Sequence, residues 1–85
     1  MPRARSREHV AFGRALRQLR DEHGLSQEEL GYKAGLHRNY IGGVERGELN
    51  PSLASIFKLA RGLGMQPSEL LARCEKLLGR ASSRA

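Results

Sequence analysis

Apolar residues along the chain recur at intervals of three and four positions, a spacing that is typical of amphipathic helices. In the clearest example, Phe12, Leu16, Leu19 and His23 fall at i, i+4, i+7 and i+11. The alternating pattern of a half-buried strand is weak by comparison. The pattern therefore predicts an all-α domain.

Turn residues divide this pattern into five predicted helices. Ser26 and Glu29 have the spacing of a capping box, and Pro67 suits the first position of a helix. The predicted helices cover residues 7–23, 27–34, 38–46, 53–63 and 67–78. On the fourth helix, the side expected to face inward carries Leu53, Ile56, Phe57, Ala60 and Leu63. Residues 7–79 thus form one predicted domain, followed by a disordered tail at 80–85.

The positive charge is concentrated at the start of the chain. The net charge is +6, and residues 1–20 hold six arginines and one glutamate, which makes +5 of that total. Arg3 and Arg5 belong to the stretch PRARSR, which has no apolar periodicity. Residues 1–6 are predicted to form a mobile basic arm suited to a polyanion such as a nucleic acid backbone. A disordered terminus that only aids solubility is the alternative.

Several classes of protein are disfavoured by the composition. The single cysteine, Cys74, excludes an intramolecular disulfide framework and fits a reducing cytoplasm. No apolar run approaches the roughly 18 residues that would indicate a membrane span. The three histidines and the one cysteine lack metal-ligand spacing, and the run from Gly42 to Gly47 lacks the lysine of a phosphate loop. We therefore expect no metal, no cofactor and no enzymatic activity.

The second and third predicted helices, QEELGYKA and RNYIGGVER, are joined by the glycine-containing turn GLH. This is the layout of a helix-turn-helix, in which the second helix enters the major groove of DNA. At about 100° per residue, Ile41 and Val44 lie on the inner side of the third helix. The outer side carries Asn39, Gly42, Gly43 and Arg46.

Two explanations of the adjacent glycines, Gly42 and Gly43, remain open. Missing side chains would let the helix lie deeper in the groove, or they would let it pack closely inside the domain. In the first case the N-terminal residues read the bases. Arg38 is suited to a bidentate contact with guanine and Asn39 to one with adenine, while Tyr40 would reach a phosphate or a thymine methyl group.

An acidic residue, Glu45, lies beside the apolar side of the third helix and needs a partner there. Arg20 flanks the apolar face of the first helix. We predict an ion pair between Arg20 and Glu45 that ties the two helices together. The alternative is that both side chains are solvated.

The order and spacing of three segments resemble the lambda-repressor-like, Cro/C1 (Xre) type helix-turn-helix family over some 60 residues, from Phe12 to Leu71. The segments are FGRALRQLRDEHGLSQEELGYKAGL, IGGVERGELNPSL and IFKLARGLGMQPSELL. The resemblance implies a compact five-helix bundle that binds DNA as a homodimer. Within the family, HRNYIGGVERGELNPSL is similar to stand-alone regulators that include the controller proteins of restriction–modification systems.

The resemblance also implies roles for individual residues. It assigns a conserved ion pair to Arg20 and Glu45 and a phosphate contact to Gln27. Base-reading positions fall on His37, Arg38, Asn39 and Gly43. Backbone contacts fall on Arg46, Asn50 and Ser52. Three positions depart from the family pattern: His37 replaces a Ser or Thr cap, Gly31 replaces a common alanine, and Gly43 has no side chain with which to read a base.

The fifth helix carries an apolar stripe at i, i+1, i+4, i+7 and i+8, beginning at Leu70. Part of the stripe is expected to cover the domain's own core. We assign its end to a two-fold dimer contact, with packing wholly within the domain as the alternative. The residues of this contact are Leu71, Cys74, Leu77 and Leu78.

Together these features predict a cytoplasmic, sequence-specific transcriptional regulator that binds double-stranded DNA as a homodimer on an inverted repeat. An antitoxin that masks a toxin protein and represses its own promoter is the alternative. An activator would also contact RNA polymerase, and the acidic residues near Glu45 and Glu48 are too few to locate such a surface.

Overall fold

Within residues 5–79, which the structure describes, the computed structural model contains five α-helices and no strand. The helices are α1 (Arg7–Glu22), α2 (Gln27–Ala34), α3 (Arg38–Glu45), α4 (Leu53–Leu63) and α5 (Pro67–Leu77). The predicted all-α, five-helix fold is confirmed. Helices α1, α3 and α5 end one residue earlier than predicted, because the residue that follows each of them serves as its C-cap. Arg3 and the predicted tail at 80–85 lie outside the described residues.

Serine side chains fix where three of the helices begin. Ser6 caps α1 and Ser52 caps α4, each through its hydroxyl oxygen. At α2 the capping box predicted from the sequence is present. The Glu29 backbone N–H donates to Ser26 Oγ at 3.0 Å, and the Ser26 N–H donates to the Glu29 carboxylate at 2.8 Å. This bond from Ser26 lowers the pKa of the Glu29 carboxyl, so the cap holds a charged acid at the positive end of α2.

The core lies where α1 packs against α3 and α5, and α2 packs against α3 and α4. Burial of these apolar side chains is the main favourable term in folding. The buried side chains that pack together are Ala11, Phe12, Ala15, Leu16, Leu19, Leu30, Ile41, Val44, Leu59, Ala60, Leu63, Leu70 and Cys74. Because α3 contacts both α1 and α2, its position depends on two neighbours.

The apolar stripe of α5 contributes to the domain's own core, and the predicted dimer contact at its end stays a prediction. Cys74 is a core residue with 7% exposure, and burial raises the pKa of its thiol. Leu77 and Leu78 are partly buried and pack against the same core. Of the predicted contact residues only Leu71 is exposed, at 43%.

Helix α4 exposes two apolar side chains that were expected to be buried. Leu53 and Phe57 were expected to face inward, and the structure leaves them 72% and 52% exposed. Leu59, Ala60 and Leu63 fill the core instead. The buried strip therefore lies toward the C-terminal half of α4, and two large apolar side chains are left on the surface.

The close approach of α1 to α3 depends on Gly13. A Cβ atom on Gly13 would collide with the backbone carbonyl oxygen of Val44 and would lie 2.5 Å from that of Glu45. Backbone atoms cannot rotate away as a side chain can, so any larger residue would have to push the two helices apart.

We therefore expect Gly13→Ala to destabilise the domain by roughly 1–3 kcal/mol, the usual cost of overpacking a core. The measurement is urea unfolding followed by circular dichroism. Gly42→Ala is the matched control, because its Cβ would meet only the flexible side chains of Arg46 and Gln27, at 3.2 and 3.4 Å. Alanine favours a helix over glycine by about 1 kcal/mol, so the control should be neutral or stabilising. Equal losses in both variants would contradict this account of Gly13.

Candidate DNA-binding surface

Helix α3 has one buried side and one polar end. Ile41 and Val44 are 0% and 1% exposed and fix the rotation of the helix against the core. Arg38 and Asn39, at its N-terminal end, are exposed. A helix held by its inner side with an arginine and an amide at its free end has the groups that recognise guanine and adenine in the major groove.

The residue before α3, His37, works as a helix cap. Its ring nitrogen Nδ1 accepts a hydrogen bond from the Asn39 backbone N–H at 2.9 Å. The imidazole therefore replaces the Ser or Thr hydroxyl that the resemblance led us to expect. Because Nδ1 is used as the cap acceptor, Nε2 is the ring atom left for a base or a phosphate.

A buried ion pair joins α1 to the C-terminal end of α3. Arg20 Nε donates to Glu45 Oε2 at 2.6 Å, and Arg20 Nη2 donates to Glu45 Oε1 at 3.0 Å. The two side chains are only 11% and 4% exposed. The hydrogen bonds to Glu45 raise the pKa of the Arg20 guanidinium, against the opposing effect of burial. The ion pair expected from the sequence is thus present, in a bidentate form that fixes direction as well as distance.

The same carboxylate also holds a residue of α2. Gln27 Nε2 donates to Glu45 Oε1 at 3.0 Å, and Arg20 Nη1 donates to the Leu25 carbonyl oxygen at 2.9 Å. Arg20 and Glu45 therefore connect α1, α3 and the turn before α2. The amide of Gln27, which the resemblance assigns to a phosphate, has one of its N–H groups engaged and a fixed orientation.

Gly42 lies next to two polar side chains, those of Gln27 and Arg46. A Cβ built on Gly42 would be 3.2 Å from Arg46 Nη1 and 3.4 Å from Gln27 Oε1. Without a side chain there, the start of α2 and the end of α3 bring an amide and a guanidinium together. The absence of a side chain at Gly42 thus leaves room for the polar side chains of Gln27 and Arg46.

Gly43 has different surroundings, and its place among the base-reading positions stays a prediction. Gly43 is buried, and a Cβ there would be 2.5 Å from Leu49 Cδ1. The packing explanation left open by the sequence therefore applies to Gly43. Tyr40 is also partly buried and packs against the core, so it is not a freely exposed base-reading side chain.

The remaining predicted backbone contacts lie after α3 and at the N-terminus. Arg46 is the C-cap residue of α3, Asn50 is exposed, and the Ser52 hydroxyl accepts the Ser55 N–H at 3.0 Å. Arg5 lies close to the segment that follows α3, where its Nη2 donates to Glu48 Oε2 at 3.0 Å. These side chains place two arginines and the N-terminus of α4 beside the end of α3.

Two features of this surface were missed in the sequence. Glu28 Oε1 lies 3.4 Å from Arg38 Nη1, so an exposed acid from α2 pairs with a candidate base-reading arginine. Tyr32 is 90% exposed on the same helix. Glu28 and Tyr32 are four residues apart, and that spacing on α2 was the available signal for a shared face.

Comparison with known proteins identifies the family. The family model described as "Helix-turn-helix" matches residues 16–70 of the chain. This chain belongs to the Cro/C1-type helix-turn-helix family of DNA-binding transcriptional regulators. Members of this family are regulators and not enzymes, so the prediction that the chain is not an enzyme is confirmed.

Relatives of this regulator include proteins named as control or controller proteins. Control protein C.BamHI of Bacillus amyloliquefaciens is 46% identical over 63 residues, which is 73% of this chain and 78% of that protein. The crystal structure of the controller protein C.AhdI from Aeromonas hydrophila matches with a TM-score of 0.72 and 55% identity, over 73% of this chain and 94% of that one. Wild-type C.Esp1396I matches with a TM-score of 0.80 and 29% identity, over 86% and 95% of the two chains.

The regulator's helices are short and amphipathic. Among residues 5–79, no helix has both the length and the apolar character that crossing a membrane requires.

The buried pair yields a stability prediction for this regulator. Arg20→Ala or Glu45→Ala should each cost about 3–5 kcal/mol, because either change leaves a buried charge without its partner. The double variant should cost much less than the sum of the two. The measurement is a double-mutant cycle by urea unfolding.

The control cycle uses the exposed pair of Arg73 and Glu22, whose atoms are 2.7 Å apart and whose side chains are 26% and 53% exposed. Its coupling energy should be much smaller, because water and salt screen an exposed pair. Comparable coupling in the two cycles would refute the idea that burial makes the pair of Arg20 and Glu45 important.

Proposed function

We propose that this regulator reads a specific DNA sequence with α3 in the major groove, as a homodimer on an inverted repeat. The observation that carries the proposal is the exposure of Arg38 and Asn39 on a helix whose other side is locked into the core. Their side chains match guanine and adenine edges. Both side chains of the ion pair between Arg38 and Glu28 are exposed. The guanidinium of Arg38 is therefore able to leave the carboxylate and bind a base.

The proposed contacts to the DNA backbone come from α2, from the segment after α3 and from the N-terminal arm. They comprise Gln27, Arg46, Asn50, Ser52, Arg5 and Arg3. Gln27 is the first residue of α2, where unpaired backbone N–H groups and the helix dipole favour a phosphate. The basic arm at 1–6 and the domain at 7–79 are part of the same proposal, with the arm adding charge that does not depend on sequence.

Arg38→Ala tests base reading. The variant should lose roughly 1–3 kcal/mol on the preferred site and should accept other bases at one position, most simply a guanine. The measurement is selection of bound sites from a random duplex pool by wild type and variant, followed by titration of single-base variants of the selected site.

Gln27→Ala is the matched comparison. It removes a proposed contact between a neutral amide and a phosphate, so it should weaken all duplexes alike and leave the salt dependence of affinity nearly unchanged. If Arg38→Ala behaved as Gln27→Ala does, with an equal loss on every sequence, Arg38 would not be a base-reading residue.

We propose that the dimer surface includes α4 and the start of α5, where Leu71 of the predicted contact is exposed. Leu53 and Phe57 lie one turn apart on α4, and Leu71 lies one turn after Pro67 on α5. Phe57 and Pro67 line one shallow depression, so an exposed apolar side chain of α4 lies close to the start of α5. Apolar groups exposed together on a small domain mark an association surface, and a second copy of this chain is the occupant that an inverted repeat requires.

Phe57→Glu should convert the dimer into a monomer at micromolar concentration and weaken binding to a two-half-site duplex. The reason is that a charge would be buried without a partner at the centre of the interface. The measurement is sedimentation velocity together with titration of duplexes that carry one or two half-sites. Tyr32→Glu is the control for assembly in the sedimentation measurement, because Tyr32 is 90% exposed and lines a different surface depression from Phe57, together with Glu28 and Arg38. A Phe57→Glu protein that remained dimeric would show that the interface lies elsewhere.

We further propose that the target is the promoter region of a restriction–modification gene cluster. The support is the similarity to C.BamHI and C.AhdI, which are named as control or controller proteins. The sites selected from the random pool should then occur upstream of such genes in the source genome. Sites found instead upstream of a toxin gene would favour the antitoxin alternative.

A further inference from the structure

One acidic side chain lies between two of the arginines proposed to contact the DNA backbone. Glu48 Oε2 accepts a hydrogen bond from Arg5 Nη2 at 3.0 Å, and Glu48 Oε1 accepts one from Arg46 Nε at 3.1 Å. Each carboxylate oxygen is thus used by a different arginine. The bonds from Arg5 and then Arg46 lower the pKa of the Glu48 carboxyl, so the acid is charged at neutral pH.

The backbone around Glu48 holds this arrangement in place. Gly47 adopts a left-handed conformation with φ +77°, and the Glu48 backbone N–H donates to the Gly43 carbonyl oxygen at 2.9 Å. The carboxylate is therefore fixed at the end of α3, beside Arg46. Its side chain is 33% exposed, while those of Arg5 and Arg46 are 50% and 61% exposed.

The carboxylate of Glu48 competes with DNA phosphates for the same two arginines. A phosphate that approaches Arg5 or Arg46 must replace the carboxylate as hydrogen-bond acceptor or share the arginine with it. The carboxylate also repels the phosphate itself at this distance. Arg5 and Arg46 together carry a charge of +2, and Glu48 reduces the local total to +1.

We propose that Glu48 is an affinity-limiting residue that holds Arg5 and Arg46 in the free protein and is displaced from them by DNA phosphates. The inference rests on the proposed function, because it concerns the same backbone contacts. Non-specific affinity comes almost entirely from such contacts, so Glu48 keeps the regulator from being retained on duplexes that lack its site.

The test is Glu48→Gln, measured by fluorescence anisotropy with a labelled duplex of random sequence over a series of salt concentrations. At about 50 mM salt the variant should bind roughly threefold to tenfold more tightly than wild type. The logarithmic salt dependence should steepen by up to about two units if both arginines gain a phosphate. Adding Arg46→Gln to the variant should remove most of the gain.

Glu75→Gln is the matched control, because it changes the net charge equally. Glu75 is exposed on α5 and forms no ion pair within the described part of the chain. A gain no larger than that of the control would overturn the proposal. Weaker binding by Glu48→Gln would overturn it too, since Glu48 would then be orienting Arg46 toward DNA.

The same experiment distinguishes a failure of the proposed function from a failure of the role proposed for Glu48. If wild type binds no duplex, the proposed function fails, and the role of Glu48 fails with it. If wild type binds and Glu48→Gln does not tighten binding, only the role of Glu48 fails. Thermal unfolding of each variant, followed by circular dichroism, ensures that the proteins compared are folded.

Discussion

The carboxylate of Glu45 is the point at which the three helices around the proposed DNA surface are joined. It accepts two hydrogen bonds from Arg20 on α1 and one from Gln27 on α2. Ile41 and Val44 determine which side of α3 is buried, but apolar packing alone tolerates small rotations and shifts. A bidentate charged pair tolerates them less, because its bonds depend on direction. The orientation of α3 and that of the Gln27 amide are therefore set by one buried group.

On the surface around that buried pair, acidic side chains are paired with the arginines proposed to bind DNA. Arg38 is paired with Glu28, while Arg5 and Arg46 share Glu48. Exposed pairs of this kind add little to stability, so their main consequence concerns what the arginines bind next. A basic domain of this size would otherwise carry a sequence-independent attraction to every duplex. In our proposal, acids beside the arginines reduce that attraction, and the proposed base-reading groups decide where the protein stays.

Much of the fold was predictable because its signals are local. Helical periodicity, glycine stops and the capping box at Ser26 each depend on a few neighbouring residues, and the pairing of Arg20 with Glu45 followed from an acid beside an apolar face. What the sequence did not show depended on contacts outside the helix that carries the residue. The burial of Gly43 depends on the conformation of the loop that carries Leu49. Likewise, helical spacing shows which apolar residues share a face, but it does not show where a neighbouring helix stops covering it, as at Phe57.

The central claim is that α3, held at its C-terminal end by Glu45, presents Arg38 and Asn39 at its N-terminal end to base edges. A crystal structure of the protein with the duplex selected from a random pool tests this directly. The account predicts α3 in the major groove, Arg38 and Asn39 within hydrogen-bond distance of bases, and Gln27 on a phosphate while still bonded to Glu45. A complex in which α3 faces solvent, or in which those two side chains touch only phosphates, would contradict it.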